Sequence, residues 1–108
     1  MHEWVEKHGY VTRIMADEKE LDFPGTEIVL VRFKEGKHDH YHKKKIETFY
    51  FTKGEGRMVI EGEEKEIKPG SFFLIEPNVK HAIINDSPEI LEALVFKTKN
   101  SPGDTFMD

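Results

Sequence analysis

Short apolar stretches separated by turns containing glycine or proline constrain the fold of this chain more than any other feature. Several stretches are rich in β-branched residues, and the strongest early one contains Ile28-Val-Leu-Val31. Helical periodicity is weak, although a short helical turn at Asp17–Leu21 is compatible with the pattern. We expect strands at nine stretches: Tyr10–Met15, Glu27–Phe33, Lys37–His42, Glu47–Thr52, Arg57–Glu61, Lys65–Lys68, Ser71–Ile75, His81–Asn85 and Ile90–Lys97.

The spacing of these stretches predicts an all-β sandwich or barrel. The chain has 108 residues, which is the size of one domain with one core. We therefore predict a single domain over residues 1–108, with a core barrel at about 26–98. A first strand flanks it on one side and the polar tail 100–108 on the other, where Phe106 or Met107 is a candidate anchor. Because so small a core gains from further burial, we also expect a homodimer.

Charge and composition narrow the range of partners. The net charge is −5, and the basic residues are scattered apart from Lys43-Lys44-Lys45, so nucleic acid is not an expected partner. No apolar run is long enough to span a bilayer and no apolar signal segment is present, so we expect a cytoplasmic protein without a membrane partner. Abundant glutamate and lysine without glutamine is typical of hyperthermophile proteins.

Histidines are concentrated in a way that predicts a metal site. Four of the six lie in two segments, at positions 38, 40 and 42 and at His81, and Glu47 begins the next apolar stretch. Residues at i and i+2 of a strand share a face, about 6.6 Å apart, so His40 and His42 can point at one ion. Because the chain has no cysteine, any metal must be bound by imidazole and carboxylate. This ligand set suits divalent Mn, Fe, Co, Ni or Zn.

Two motifs carry a family resemblance. The first is His40-x-His42-x4-Glu47-x6-Gly54, and the second is Gly70-x6-Pro77-x3-His81-x3-Asn85. In order and spacing they resemble the two conserved motifs of the cupin superfamily. The resemblance implies a double-stranded β-helix, or jelly-roll, barrel. It also implies that His40, His42, Glu47 and His81 are the metal ligands.

The motifs depart from the cupin pattern at positions that are not ligands. Gly36 lies closer to the histidine pair than the leading glycine of the first motif usually does, and His38 is additional to the pattern. Glu76 stands where proline is common, and Asn78 where glycine is common. Asparagine tolerates the left-handed backbone conformation better than most residues, so we expect this turn to be retained.

Residues outside the motifs have plainer interpretations. We expect His38 to be a solvated loop histidine, because 13 Å or so separates it from His42 along a strand. The Lys43-Lys44-Lys45 run is expected to be a solvated strand end or turn. Asn85 is expected to be structural, and His2 and His8 to be surface residues. The following aromatic residues are expected in the core: Phe49, Phe51, Phe72, Phe73 and Phe96.

Three classes of function are compatible with such a site. Small single-domain cupins resemble sugar or phosphosugar isomerases, dioxygenases, decarboxylases and lyases. We favour a small-molecule metalloenzyme of the dioxygenase or isomerase type, with no residue assignable as a catalytic acid, base or nucleophile. The alternatives are a non-catalytic module that binds a small molecule or sugar, and a structural metalloprotein.

Overall fold

The computed structural model describes residues 2–42, 45–99 and 105–106, and for residues 40–42 and 105–106 the description is limited to the backbone. These residues form eleven strands: β1 (Trp4–Glu6), β2 (Tyr10–Ala16), β3 (Glu27–Phe33), β4 (Gly36–His42), β5 (Ile46–Lys53), β6 (Gly56–Ile60), β7 (Glu63–Ile67), β8 (Phe72–Ile75), β9 (His81–Asn85), β10 (Leu91–Thr98) and β11 (Thr105–Phe106). The all-β prediction is confirmed.

Two antiparallel sheets make up the fold. The larger has the strand order β1-β2-β3-β10-β5-β8, and the smaller has the order β11-β4-β9-β6-β7. Each buries one face of its alternating side chains, as antiparallel strands commonly do. The core that results draws on both sheets: Val29, Val31, Phe33, Phe49, Phe51, Met58, Ile67, Ile75, Ile83, Leu91, Ala93 and Val95.

Strand β10 connects two different ends of the molecule. At one end Leu91 lies opposite Phe33 of β3, and both side chains are buried in the core. At the other end Lys97 lies opposite Glu27 of β3 and Glu47 of β5. Side chains two residues apart share a face. The inner face of the sheet therefore changes from fully apolar to charged along a single strand.

The nine predicted strands all overlap strands of the structure, with ends that differ by at most two residues. Two short strands, β1 and β11, were not predicted. The expected helical turn is a single hydrogen-bonded turn, in which the Leu21 amide donates to the Asp17 carbonyl. Lys43, Lys44, Met107 and residues 100–104 lie outside the described residues. None of the described residues forms a helix long and apolar enough to cross a membrane.

Two turns of the sequence motifs show why their residue types are required. Asn78 has a φ of 66°, so it adopts the left-handed conformation expected for the residue that replaces glycine. Gly54 has a φ of 87°, and a Cβ added there would lie 2.6 Å from the Ile90 carbonyl oxygen. The close approach of β10 therefore excludes a side chain at position 54 as well as requiring this backbone conformation.

Two of the five phenylalanines expected in the core are not there. Phe72 is 62% exposed and Phe96 is also exposed, whereas Phe49 and Phe51 are buried and Phe73 packs against the core. The cause is strand parity. Phe73 pairs with Phe49 across β8 and β5, so its neighbour Phe72 must face the opposite side of the sheet.

Candidate metal centre

The register of two strands brings the two sequence motifs together. Strand β4 carries the first histidine pair and β9 begins at His81, and the two strands pair antiparallel. His40 and His81 are directly opposite each other in this pairing. Opposite residues in an antiparallel pair have Cα atoms about 4.5–5.5 Å apart. Motifs that are some forty residues apart in sequence therefore meet at one position of the smaller sheet.

Glu47 approaches His81 from the larger sheet. It lies one residue into β5, on the same face as the buried Phe49 and Phe51. Its Oε1 atom is 3.7 Å from Nε2 of His81, and the two residues are 6% and 4% exposed. Metal–ligand bonds to imidazole and carboxylate are about 2.0–2.2 Å long. The two atoms are therefore close enough for one ion to bind both.

The contacts around His81 suit a metal ligand. Its Nδ1 atom lies 3.4 Å from the Val79 carbonyl oxygen, which is a long hydrogen bond when Nδ1 carries the proton. That tautomer leaves the Nε2 lone pair on the side of Glu47. The Phe49 ring meets the imidazole edge to face at 5.9 Å. Metal-binding histidines commonly donate their second ring N–H to a backbone carbonyl, as the Val79 contact allows.

The other two predicted ligands, His40 and His42, lie on β4. The backbone of His40 and His42 is described in β4, but their side chains lie outside the described residues. The donor set that the structure does show, one imidazole and one carboxylate, fits the borderline transition metals proposed from the sequence. The full set of four ligands stays a prediction.

A cavity of about 480 Å³ opens next to Glu47 and His81. Its volume lies within the range of small-molecule sites, roughly 300–1,000 Å³. Strands β1 and β2, at one edge of the larger sheet, form one wall, and β3, β10 and β5 of the same sheet form the floor. The described lining is mostly apolar deep inside and charged towards the opening: His2, Glu3, Val5, Lys7, Tyr10, Thr12, Ile14, Glu27, Val29, Val31, Phe33, Lys45, Glu47, Phe49, His81, Ile83, Val95 and Lys97.

Charged side chains form a row across the floor of this cavity. Glu27, Lys97 and Glu47 are register partners on the adjacent strands β3, β10 and β5, and all three line the cavity. The Lys97 ammonium lies 3.8 Å from a carboxylate oxygen of Glu27. Opposite charges in neighbouring cross-strand positions attract each other. The row therefore places two carboxylates and one ammonium at the charged end of the sheet.

Lys45 contradicts the expectation of a solvated lysine run. It is 5% exposed and lines the same cavity as Glu47, which follows it by two residues in the chain. Lysine is almost never fully buried unless it has partners. The prediction failed because three consecutive lysines look alike in sequence, whereas the entry into β5 turns this one inward. Lys43 and Lys44 lie outside the described residues.

Tyr10 adds a neutral hydrogen-bonding group to the cavity. Burial raises the pKa of the Tyr10 phenol above its usual value, and the negative charge of Glu47 raises it further. The phenol therefore keeps its proton at neutral pH and can donate a hydrogen bond. Sequence analysis did not single out Tyr10, because a tyrosine in a strand is most often a core residue.

His38 is a buried residue of β4, so the expectation of a solvated loop histidine is wrong. It is 7% exposed, and its Nε2 atom lies 3.1 Å from the Lys34 carbonyl oxygen. The ring packs against Tyr10 and Phe33, with centroid distances of 5.9 and 5.2 Å. It pairs with Ile83, two residues along the strand from the His40–His81 pair. Its contacts are those of a core residue.

Asn85, the last residue of the second motif, is structural as predicted. It is buried, and its Nδ2 group donates hydrogen bonds to the carbonyl oxygens of Phe33 and Glu89. Its Oδ1 atom accepts from the Ser87 amide. These bonds join the end of β3 to the turn after β9. Asn85 therefore stabilises the end of the barrel that is remote from the charged row.

His2 belongs to a polar cluster, so it is more than the surface residue expected. Its Nε2 atom lies 2.7 Å from Glu20 and 3.5 Å from Asp17. Among the described residues this is the one group of three potential ligands close enough to share an ion. The carboxylates also cap their own turn, because Asp17 accepts from the Glu20 amide and Glu20 from the Asp17 amide. Turn capping accounts for this cluster. His8 is exposed, as expected.

Comparison with known proteins identifies the family. The family model described as "Cupin domain" matches residues 29–97, which is more than half of the chain. The chain belongs to the cupin family. The match begins in β3, ends in β10 and includes both sequence motifs.

Among curated proteins, quercetin 2,3-dioxygenase of Bacillus subtilis (strain 168) is 39% identical over 49 residues, which are 45% of this chain and 14% of that protein. An uncharacterized protein of Aquifex aeolicus (strain VF5) is 34% identical over 64 residues, 59% of this cupin and 53% of the relative. The alignments thus span from a seventh to about half of the relatives' lengths.

Among solved structures, a predicted oxalate decarboxylase of Thermotoga maritima has a TM-score of 0.76 at 19% identity. The match covers 90% of this cupin and 90% of that chain. At this level of identity the likeness concerns the fold, and it confirms the jelly-roll barrel predicted from the motifs.

Proposed function

We propose that this cupin binds one divalent transition metal ion (Mn, Fe, Co, Ni or Zn) through His40, His42, Glu47 and His81. The observation that carries the proposal is the buried contact between Glu47 and His81, which come from different sheets and lie 3.7 Å apart beside a cavity. His40 is the register partner of His81, so the backbone brings a second imidazole residue to the same position.

We further propose that the bound ion makes the protein a small-molecule metalloenzyme of the dioxygenase or isomerase type. When bound, such an ion supplies Lewis-acid polarisation of a ligand oxygen. The chain's own contribution is to orient the His81 imidazole through Val79, to present the protonated Tyr10 hydroxyl and to enclose the ligand in a cavity with both apolar and charged walls. The partial similarity to a dioxygenase favours that type. A non-catalytic small-molecule or sugar-binding module is the alternative.

Cobalt titration tests the metal site. We expect one Co²⁺ per chain in the wild-type protein, with an affinity that falls below about pH 6.5 because imidazole ligands must be neutral. His81→Ala and Glu47→Gln should each weaken binding by more than the roughly 10–100-fold that loss of a second-shell partner costs. His8→Ala, which changes an exposed histidine, is the matched control and should bind as the wild type does. Equal affinity in all four proteins would reject the site.

Turnover then separates the enzyme from the binding module. The protein loaded anaerobically with Fe²⁺ should consume dioxygen in the presence of a substrate if it is a dioxygenase. An isomerase would convert its substrate without consuming dioxygen. Ligands that raise the melting temperature and are recovered unchanged in both assays would favour the non-catalytic module.

We also propose that residues 1–108 form one cupin domain, with the core barrel at about 26–98. We propose further that this domain forms a homodimer through the outer face of the larger sheet. On this face Tyr50, Phe72, Leu74 and Phe96 are exposed; Tyr50 pairs with Phe72, and Leu74 and Phe96 flank Thr48 on either side. A contiguous exposed apolar patch of this kind indicates an interaction site. Sedimentation of the wild type should show a dimer, and Phe72→Ser with Leu74→Ser should shift it to monomer. A wild-type monomer at high concentration would reject this proposal.

A further inference from the structure

We propose that the ligand of the cavity is a small carboxylic acid with an apolar body, and that Lys45 binds its carboxylate. The inference names a ligand class for the metal site and therefore rests on the proposed function. It assigns a role to a lysine that neither motif contains. Three features of the described cavity support it: the burial of Lys45, the balance of charges and the shortage of neutral polar groups in the lining.

Lys45 is buried at the wall of the cavity. The residue is 5% exposed, lines the cavity and is separated from Glu47 by one residue. A lysine at this depth, at the wall of a cavity large enough for a small molecule, is suited to bind an anion that enters the cavity.

Positive and negative side chains balance each other in the described cavity lining. Among the described residues of the deep lining, the ammonium groups of Lys45 and Lys97 balance the carboxylates of Glu27 and Glu47. At the opening, exposed Lys7 balances exposed Glu3. Binding of a divalent cation by Glu47 and His81 leaves an excess of positive charge. An anionic ligand is the partner that restores neutrality.

Neutral hydrogen-bonding groups are scarce in the described cavity lining. Apart from imidazoles, the described lining offers only the hydroxyls of Tyr10 and Thr12. The remaining deep surface is apolar and includes Val29, Phe49 and Val95. A sugar would bury several hydroxyls against this surface without partners, which lowers affinity. A hydrocarbon or aromatic body gains from the same contacts.

Phosphate esters also fit the cavity poorly. Bidentate recognition of phosphate uses the forked guanidinium group of arginine, whereas lysine binds phosphate as a point charge. The chain has three arginines, and none is among the described lining residues. Arg13 donates to the His2 carbonyl, Arg32 pairs with Glu92, and Arg57 pairs with Asp86 and Glu64. The charges and apolar surface together favour a carboxylate over a phosphosugar.

Binding of matched probes to the Co²⁺-loaded and the chelator-treated protein tests the inference by calorimetry. The probes are phenylacetate, its neutral counterpart phenylacetamide, and glucose 6-phosphate. We expect phenylacetate to bind about tenfold or more tightly than phenylacetamide, because a charge-assisted hydrogen bond is worth at least this factor. It should also bind more tightly than glucose 6-phosphate, whose hydroxyls find few partners in the described lining. This comparison uses the wild-type protein and so does not depend on the folding of any variant.

Variants then assign the effect to one residue. Lys45→Met should weaken phenylacetate binding about tenfold and leave phenylacetamide within about twofold, whereas Lys45→Arg should retain more of the affinity because it keeps the charge. Lys65→Met is the control, since Lys65 pairs with Glu63 on β7 outside the described cavity lining. Circular dichroism melts establish that each variant is folded.

The outcomes distinguish this inference from the proposed function. If Co²⁺ does not bind the wild type, the metal proposal fails, while the comparison of phenylacetate in wild-type and Lys45→Met chelated protein still tests the role of Lys45. If Co²⁺ binds but phenylacetate affinity is the same in Lys45→Met, the assignment of Lys45 is wrong. Tighter binding of glucose 6-phosphate than of phenylacetate, or no binding of phenylacetate, would overturn the ligand class.

Discussion

The two ends of the larger sheet's inner face have different tasks. At one end Leu91 and Asn85 are buried and do not line the cavity. Around Lys97 and Glu47, on the same strands, the interior opens into a cavity of about 480 Å³ lined by charges. Substitutions at the packed end should therefore change stability, and substitutions at the open end should mainly change binding. Four predictions test this division, from the largest expected effect to the smallest.

Two stacked phenylalanines of β5 give the sharpest contrast. Phe51 is fully buried and Phe49 borders the cavity, and their rings lie 6.0 Å apart. Phe51→Ala should lower the free energy of unfolding by about 4 kcal/mol, since it leaves a void in packed core. Phe49→Ala should lower it by about 2 kcal/mol, because the space joins an existing cavity. Chemical denaturation measures both, and equal losses would contradict the division.

Asn85→Ala should have the next largest effect. The change removes the donor to the Phe33 and Glu89 carbonyls and the acceptor for the Ser87 amide, so buried polar groups lose their partners. We expect a loss of about 2 kcal/mol in the free energy of unfolding. Co²⁺ affinity of the folded variant should be unchanged, because Asn85 lies at the packed end. A variant of normal stability with impaired metal binding would reverse our assignment of this residue.

The pKa of Glu92 indicates how acid should change the stability of the protein. Burial alone would raise the pKa of Glu92, but hydrogen bonds from Arg32 and Thr52, together with the positive charges of Lys53 and Arg32, hold it below the usual value. A carboxylate whose pKa is lower in the folded than in the unfolded state stabilises the protein at pH values above the unfolded-state pKa, which is about 4.3 for glutamate. This stabilisation is lost as the pH falls through the folded-state pKa.

Glu92→Gln should therefore cost about 1 kcal/mol of unfolding free energy at pH 7. Its difference from wild type should shrink as the pH falls below about 4. Urea denaturation at a series of pH values measures the difference. A gap that stays constant from pH 7 to pH 3 would show that the carboxylate charge is not the cause.

Thr12→Val should have the smallest effect on stability. Thr12 is half-buried on β2 and borders the open end of the interior. Its replacement by a side chain of similar shape should change the free energy of unfolding by less than about 0.5 kcal/mol. Binding of a polar ligand should weaken more than binding of an apolar one, because one of few hydroxyls in the lining is lost. A large loss of stability would show that this wall belongs to the packed core.

The sequence predicted the fold well because its signals are local. Turn residues and β-branched runs located nine strands. The left-handed conformation at position 78 was expected because asparagine, which tolerates it, stands where glycine is common. The short strands β1 and β11 were missed because strands of three and two residues have too few positions for a pattern. Their existence depends on pairing with β2 and β4.

Side-chain burial was harder to predict where neighbours are chemically alike. Nothing in Phe72-Phe73 shows which ring faces inward, and nothing in Lys43-Lys44-Lys45 shows which ammonium is buried. The pairing of Phe73 with Phe49 decides the first case, and the entry into β5 decides the second. His38 was misplaced because its partners, Tyr10 and Phe33, come from strands that the motif does not include. The candidate metal residues Glu47 and His81 were easier, since each has a distinctive type and spacing.

A crystal structure of the metal-loaded protein, with the ion located by anomalous scattering, tests the central claim most directly. We predict one ion per chain, within about 2.3 Å of a Glu47 carboxylate oxygen and of Nε2 of His81, with the imidazoles of His40 and His42 completing the ligand set. An ion found instead at His2, Asp17 and Glu20, with Glu47 and His81 still 3.7 Å apart and no metal between them, would contradict the account.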